Sequence, residues 1–251
     1  MFVAASTACY PELSLTAALE RLSDLEYTNV ELRLHEEGGD LKPSQVTADM
    51  ELALRVCRAT HRLTPIAYSF DTSLSDENED YYRQFAACCG LARATKVVTM
   101  AVRAGELGTP FNAEIERLRR LVSIAAAESV VVGLVTETGR MTQDPDTAIV
   151  LCDNVKGLAL TLDPSHYIWG PSGGCAYEPV MKHTCHVRLR DTTKDKFQVR
   201  VGQGLVEYGR LVTQLNKFNY NRALCVHMPS MPEVDQSAEM RKMRLLLESL
   251  L

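Results

Sequence analysis

The sequence predicts a single (β/α)8 barrel, and three observations carry that expectation. Short β-rich runs alternate with longer helical stretches, and the alternation recurs eight times along the chain. Eight such units in 251 residues match the roughly 250 residues this architecture typically takes. No Pro/Gly/Ser-rich linker, low-complexity tract or break in composition divides the chain, so residues 1–251 read as one domain. A doubly wound open sheet shows the same alternation and is the rival architecture.

The expected strands follow in order as FVAAS (2–6), NVELRL (29–34), PIAYSF (65–70), KVVTMAV (96–102), VVVGLVTE (130–137), GLALTLD (157–163), TCHVRLR (184–190) and ALCVHM (223–228). Helices are expected between them. LSLTAALERLSDL follows the first strand, PSQVTADMELALRVCRATH (43–61) the second and DENEDYYRQFAACCGLARA (76–94) the third. After the fourth strand, NAEIERLRRLVSIAAAE offers Asn112 as a cap, with Ile115, Leu118, Val122 and Ala125 at helical spacing. DPDTAIVLCDN, LVEYGRLVTQLNKF and PEVDQSAEMRKMRLLLESLL complete the set, while WGPSGGCAYEPVMK (169–182) reads as loop.

Composition narrows the function classes. A hydrophobic content of 46% is enough for a large core. A net charge of −5 argues against a nucleic-acid binder that works by neutralising phosphates. The local basic runs, ERLRRL at 116–121 and EMRKMR at 239–244, read as solvated helix faces. Eight cysteines lie mostly in apolar stretches and form no CxxC pair, the pattern of reduced thiols in a cytoplasmic protein. The opening MFVAASTACYPE has no basic segment and too short an apolar run for a secretory signal, and no stretch reaches membrane-span length.

The chemistry comes from the strand faces. Side chains alternate along a strand, so in TCHVRLRD His186, Arg188 and Arg190 share one side while Cys185, Val187 and Leu189 take the other. The same alternation gives an apolar outward set of Val30, Leu32 and Leu34; Leu158, Leu160 and Leu162; and Leu224, Val226 and Met228. Facing inward are Glu31, Arg33 and His35 on the second strand, Glu137 and Asp163 ending the fifth and sixth, and Cys225 and His227 on the eighth. The cations of the seventh strand are therefore expected to face carboxylates from the second, fifth and sixth. Most of these groups cluster toward the C-terminal strand ends, where barrel active sites are built. A buried network that merely satisfies itself is the competing reading, and it is a poor source of stability.

At LTLDPSH, and again at HVRLRD followed by VGQG, the sequence resembles the xylose-isomerase-like TIM-barrel superfamily. That group includes sugar and sugar-phosphate isomerases, ketose 3-epimerases, hydroxypyruvate isomerase, inosose dehydratases and endonuclease IV. NVELR, LVTETG and NKFNYNRALCVHM extend the likeness over essentially the whole chain. The resemblance implies a sugar, sugar-phosphate or sugar-acid isomerase or epimerase that moves a proton next to a carbonyl. It also implies one divalent ion held by a Glu, an Asp, a His and a Glu from strands five to eight. The matching positions here are Glu137, Asp163, Arg188 and His227, so two of the four ligands are changed. His166 matches a family histidine near the substrate, and a histidine often found two residues after the fifth-strand Glu is Gly139 here.

Two arrangements stay open at this point. In one, Glu137, Asp163 and His227 hold a Mn, Co, Zn or Mg ion that polarises the substrate carbonyl. In the other, Arg188 replaces the ion between Glu137 and Asp163, an arrangement favoured because a guanidinium repels a divalent cation. Substrate contacts are expected from His166, Arg33, His35, Trp169, Arg190 and Gln203, although Arg33 and Arg190 have Glu31 and Asp191 as alternative partners. His61 and His183 are expected to be peripheral. The expectation is thus a barrel that acts on a small carbohydrate-like molecule, and the alternative is one that binds an anionic or sugar ligand without turning it over. Phosphodiester hydrolysis is disfavoured by a set of only six histidines. Dimers and tetramers are common in the family, so a homo-oligomer is a further expectation of the resemblance.

Overall fold

Strand alternation places one apolar row of each strand toward the surrounding helices, where it is buried. In a computed structural model, which describes residues 1–251 apart from 38–40, 77, 171 and 172, eight parallel strands among the described residues pair in sequence order and close on themselves. They are β1 (Phe2–Ser6), β2 (Asn29–His35), β3 (Thr64–Asp71), β4 (Thr99–Arg103), β5 (Val131–Val135), β6 (Ala159–Leu162), β7 (Thr184–Leu189) and β8 (Ala223–Val226). Parallel pairing of β8 with β1, Ala4 opposite Cys225, completes the ring and rules out the open sheet. The outward row is buried as the alternation requires: Leu32, Leu34, Leu160, Leu162, Val187, Leu189, Leu224 and Val226 are all inaccessible. Each contributes on the order of 1.5–3 kcal/mol by leaving water.

The helices are α1 (Leu15–Asp24), α2 (Pro43–Ala48), α3 (Met50–Arg58), α4 (Glu79–Ala94), α5 (Phe111–Ala127), α6 (Pro145–Asn154), α7 (Ser165–Ile168), α8 (Tyr208–Lys217) and α9 (Gln236–Glu248). Several depart from the sequence expectation. The single helix expected over 43–61 is broken at Asp49, whose non-helical backbone (φ −145°, ψ 87°) lets its carboxylate accept the Leu52 N–H at 2.9 Å and cap α3. Asn112 caps nothing, because α5 already begins at Phe111 after Pro110. The loop expected over 169–182 ends in a 3₁₀ turn, Glu178–His183. Residue 77 of the helix expected over 76–94, and residues 171 and 172 of that loop, lie outside the described residues.

The basic runs are only partly solvated. Arg119 and Arg120 are exposed, but Arg117 is buried against Glu114 at 2.8 Å and donates to the Arg103 carbonyl at 3.0 Å. Glu114 also accepts the Gly105 N–H at 3.0 Å, so α5 fixes the C-terminal end of β4 from behind. In the second run Arg244 is buried and bonded to Glu248 at 2.9 Å and to Glu26. Among the described residues no helix is long and apolar enough to cross a membrane.

Candidate active site

The C-terminal strand ends surround a cavity of about 290 Å³. His35 and Asp71 reach it from β2 and β3, Arg103 from β4, and Glu137 from just past β5. Asp163 and His166 enter from the β6 side, Arg188 and Arg190 from β7, and His227 from just past β8. Three carboxylate–guanidinium units organise these side chains at different depths.

The deepest unit centres on Glu31, which is fully inaccessible. It accepts hydrogen bonds from Ser6 Oγ at 3.0 Å and Arg188 Nε at 3.1 Å, and lies 2.7 Å from His186 Nε2. Burial alone would raise its pKa, but Arg188 and His186 together hold it well below the usual carboxylate range. Arg188 therefore does not stand between Glu137 and Asp163 as the sequence suggested. Residues two apart on a strand are separated by about 6.6 Å, so position 188 meets the level of Glu31 and only position 190 reaches the upper level.

At that upper level Arg190 Nη2 lies 2.9 Å from Asp163 Oδ2 and 2.8 Å from His227 Nδ1. Asp191 is not its partner, because that carboxylate accepts the N–H groups of Gly202 and Gly204 at 2.8 and 3.0 Å. The VGQG turn exists for that contact. Gly202 has φ +86°, and a Cβ on Gly204 would stand 1.9 Å from Asp191 Oδ1. Asp163 spends its other oxygen on the N–H and hydroxyl of Ser165, the first turn of α7. Burial raises its pKa, yet Arg190 leads the contacts that hold it below the usual value.

The third unit lies at the rim. Arg103 grips Glu137 with both arms of its fork, Nε to Oε2 at 2.9 Å and Nη2 to Oε1 at 2.6 Å. Against the effect of burial, this clamp keeps the Glu137 pKa low. Asp71 has no such clamp: the nearest guanidinium atom, Arg103 Nη1, is 3.8 Å away. Burial pushes the Asp71 pKa up.

The hydrogen bonds fix the tautomers of the three cavity histidines. His35 Nδ1 accepts from Arg33 Nε at 3.4 Å, so its Nε2 carries the proton and donates to Ser69 Oγ at 2.9 Å. His166 Nδ1 accepts the Thr138 N–H at 3.0 Å. His227 Nδ1 accepts from Arg190, which can only donate. Burial lowers all three pKa values, with added repulsion from Arg33 and Arg188 bringing His35 to about 3 and from Arg188 and Arg190 holding His227 well below the usual value. Each imidazole is thus neutral with its lone pair occupied. The ring atom each has left to offer is its Nε2–H, a donor.

The remaining sequence candidates fall outside the cavity lining. Arg33 is half-buried and bonds His35 rather than Glu31, whose oxygens Ser6, His186 and Arg188 already occupy. Trp169 packs at a 51° tilt against Phe197 with ring centroids 5.0 Å apart, and Phe197 in turn contacts His166 at 4.6 Å and lies 4.4 Å from Arg190 Cζ. Gln203 is exposed. His61 and His183 stand beside Glu20 and Asp153, at 3.8 and 3.5 Å. Sequence reasoning missed Asp71, Arg103, Ser69 and Phe197. For the first two the signal was present: each is the first charged residue at the end of an apolar strand, as Glu137 and Asp163 are.

A divalent ion does not fit the side chains present. Glu137, Asp163 and His227 do not converge on one point: Glu137 is turned to Arg103, and Arg190 occupies the facing atoms of the other two. An ion about 4 Å from a guanidinium is repelled by roughly 8 kcal/mol at an effective dielectric of 20. Among the described residues, Glu31, His186 and Cys225 do bring three possible ligand atoms within 4.8 Å of one another. Glu31 is already bonded to Arg188 there, and burial pushes the Cys225 thiol well above its usual pKa.

The family model described as xylose isomerase-like TIM barrel matches residues 19–249. Among solved structures, the chain is similar to 3-keto-D-glucoside 4-epimerase from E. coli, at 13% identity and TM-score 0.76 over 99% of both chains. It is similar to D-allulose 3-epimerase from Methylomonas sp. in complex with D-allulose, at 13% identity and TM-score 0.77 over 100% of this chain and 97% of that one. A xylose isomerase-like TIM barrel protein from Mycobacterium smegmatis in complex with magnesium matches at 12% identity and TM-score 0.75, over 99% and 97% of the two chains. At such identities the likeness is one of fold. No curated protein matches.

Proposed function

The chain belongs to the xylose isomerase-like TIM barrel family, and from that membership we propose that it acts on a small uncharged sugar as an isomerase or epimerase, shifting a proton beside the carbonyl. The observation that carries this reading is the donor-rich wall of the cavity. Arg188 and Arg190 line it, and Nη1 of each makes no hydrogen bond among the described residues. With the Nε2–H groups of His166 and His227, they suit a carbonyl oxygen that gains negative charge as a neighbouring proton leaves.

The charge balance favours a neutral substrate over a sugar phosphate. Arg103, Arg188 and Arg190 are matched by Glu137, Glu31 and Asp163, and Asp71 is offset by the half-buried Arg33, which bonds His35 and lies in the field of that carboxylate. A phosphate dianion would therefore meet no net positive charge among these described residues. In this arrangement Glu137 and Asp163 position the arginines, the His166–Phe197–Trp169 cluster supports the ring, and Asp71 carries the proton. A carboxylate with a raised pKa and no bonded cation is better suited to that transfer than Glu137, whose oxygens are both engaged.

A second reading has its own support. The double clamp of Arg103 on Glu137 is what a barrel that binds sugar without turning it over would keep. Incubation with neutral and phosphorylated ketoses and aldoses in D2O distinguishes the two. The expected result is deuterium incorporation next to the carbonyl of a neutral sugar, reduced about 10²–10⁴-fold in Asp71→Asn. Binding without exchange would support the second reading. A loss of that size in Glu137→Gln but not in Asp71→Asn would return the proton transfer to Glu137.

A further inference from the structure

We propose that Arg190 takes the place of a divalent cation in this barrel, so that the site holds its ligand without a metal ion. A single nitrogen, Nη2, sits between Asp163 Oδ2 at 2.9 Å and His227 Nδ1 at 2.8 Å. It occupies the lone pairs through which both residues would otherwise bind an ion. The guanidinium is held there: Arg190 is 6% exposed and its Cζ lies 4.4 Å from the Phe197 ring centroid. Arg188 supplies a second fixed charge behind it, anchored on Glu31 at 3.0 Å. The fifth-strand carboxylate is withdrawn, since Glu137 faces Arg103 rather than Asp163.

These contacts put a fixed positive charge on the atoms an ion would use. A guanidinium keeps its proton under all physiological conditions, so the cation cannot leave by titration. To admit a metal, Arg190 would have to break from Asp163 and His227 together and remain nearby as a repelling charge. Its Nη1 and that of Arg188 then offer a ligand oxygen the positive charge a metal would have supplied. The replacement depends on the proposed sugar chemistry only for what the ligand is, and metal binding can be read whether or not any sugar reacts.

The experiment titrates the untagged full-length chain with Mn2+, and in parallel with Co2+ and Zn2+, by calorimetry, followed by elemental mass spectrometry after dialysis. The expected result is no stoichiometric ion in the wild type. Arg190→Met, which keeps the packing on Phe197 without the charge, should bind Mn2+ at least about tenfold more tightly. Arg190→Lys, which keeps the charge, should continue to exclude it. A stoichiometric ion in the wild type that Asp163→Asn releases overturns the proposal. A folded Arg190→Met variant that gains no affinity also overturns it, because another feature then keeps the ion out. Should Arg190→Met fail to fold, the wild-type titration decides alone.

Discussion

Glu31 and Glu137 are both carboxylates gripped by arginine inside the same barrel, yet their surroundings make them different devices. Glu31 lies in the barrel interior with no exposure and bonds to Ser6, His186 and Arg188. Glu137 stands at the rim, its side chain 20% exposed and that of its partner Arg103 44%. A buried ion pair is expensive to form and more expensive to break, because removing one partner strands the other charge away from water. A rim pair can exchange its partner for water or ligand at little loss. The deep unit therefore belongs to the fold and holds Arg188 still, while the rim unit is free to respond to what enters the cavity.

Breaking each pair in turn tests that division. Arg188→Met should destabilise the protein by about 3–5 kcal/mol, read from urea unfolding, and the double variant Glu31→Gln/Arg188→Met should recover most of it. Glu137→Gln should stay within about 1 kcal/mol of wild type. Equal losses at the two positions would show that depth is not what separates them.

The same contrast predicts the response to acid. Glu31 has a folded pKa well below the ordinary value, so its contribution is complete above about pH 4.3 and is lost as the pH falls through the folded value. The neutral histidines act earlier. His35, brought to about 3 by burial and by Arg33 and Arg188, stays unprotonated in the folded protein while the unfolded chain takes up its proton below about pH 6.5. The folded state therefore loses up to about 2 kcal/mol through His35 between pH 6.5 and 5. Urea midpoints measured from pH 7.5 to 4 should begin to fall near pH 6.5 and steepen below 4.3, and His35→Gln should remove part of the early decline. A midpoint flat down to pH 5 would mean that His35 is protonated in the folded protein.

How much of this was legible in the sequence depends on how local the determinant is. The barrel was readable because strand alternation and helix spacing are local patterns, and eight such units in 251 residues match the length a closed barrel takes. The inward row was readable too: Glu31, Asp163, Arg188, Arg190 and His227 do meet in the interior. Their pairing was not, because partners are chosen by height along the barrel axis. That height depends on the stagger of neighbouring strands, including the irregularities after Val30 and Leu160. Arg188 and Arg190 exchange roles on a difference of two residues. Asp71 and Arg103 were missed for a related reason: the expected strands stopped at Phe70 and Val102, one residue short of the charged positions at the cavity mouth.

The smallest expected effect concerns the turn that most resembled a binding motif. In VGQG the two glycine N–H groups converge on Asp191 Oδ2 at 2.8 and 3.0 Å, and that requirement alone accounts for both glycines. Gln203 between them is exposed, with its backbone N–H donated to the Arg200 carbonyl at 3.0 Å. Gln203→Ala should therefore leave stability within about 0.5 kcal/mol of wild type and leave sugar affinity unchanged by calorimetry. A clear loss of affinity would show that this turn folds over the bound ligand, which would move the ligand-responsive region from the Glu137 rim across to the β7 side of the cavity.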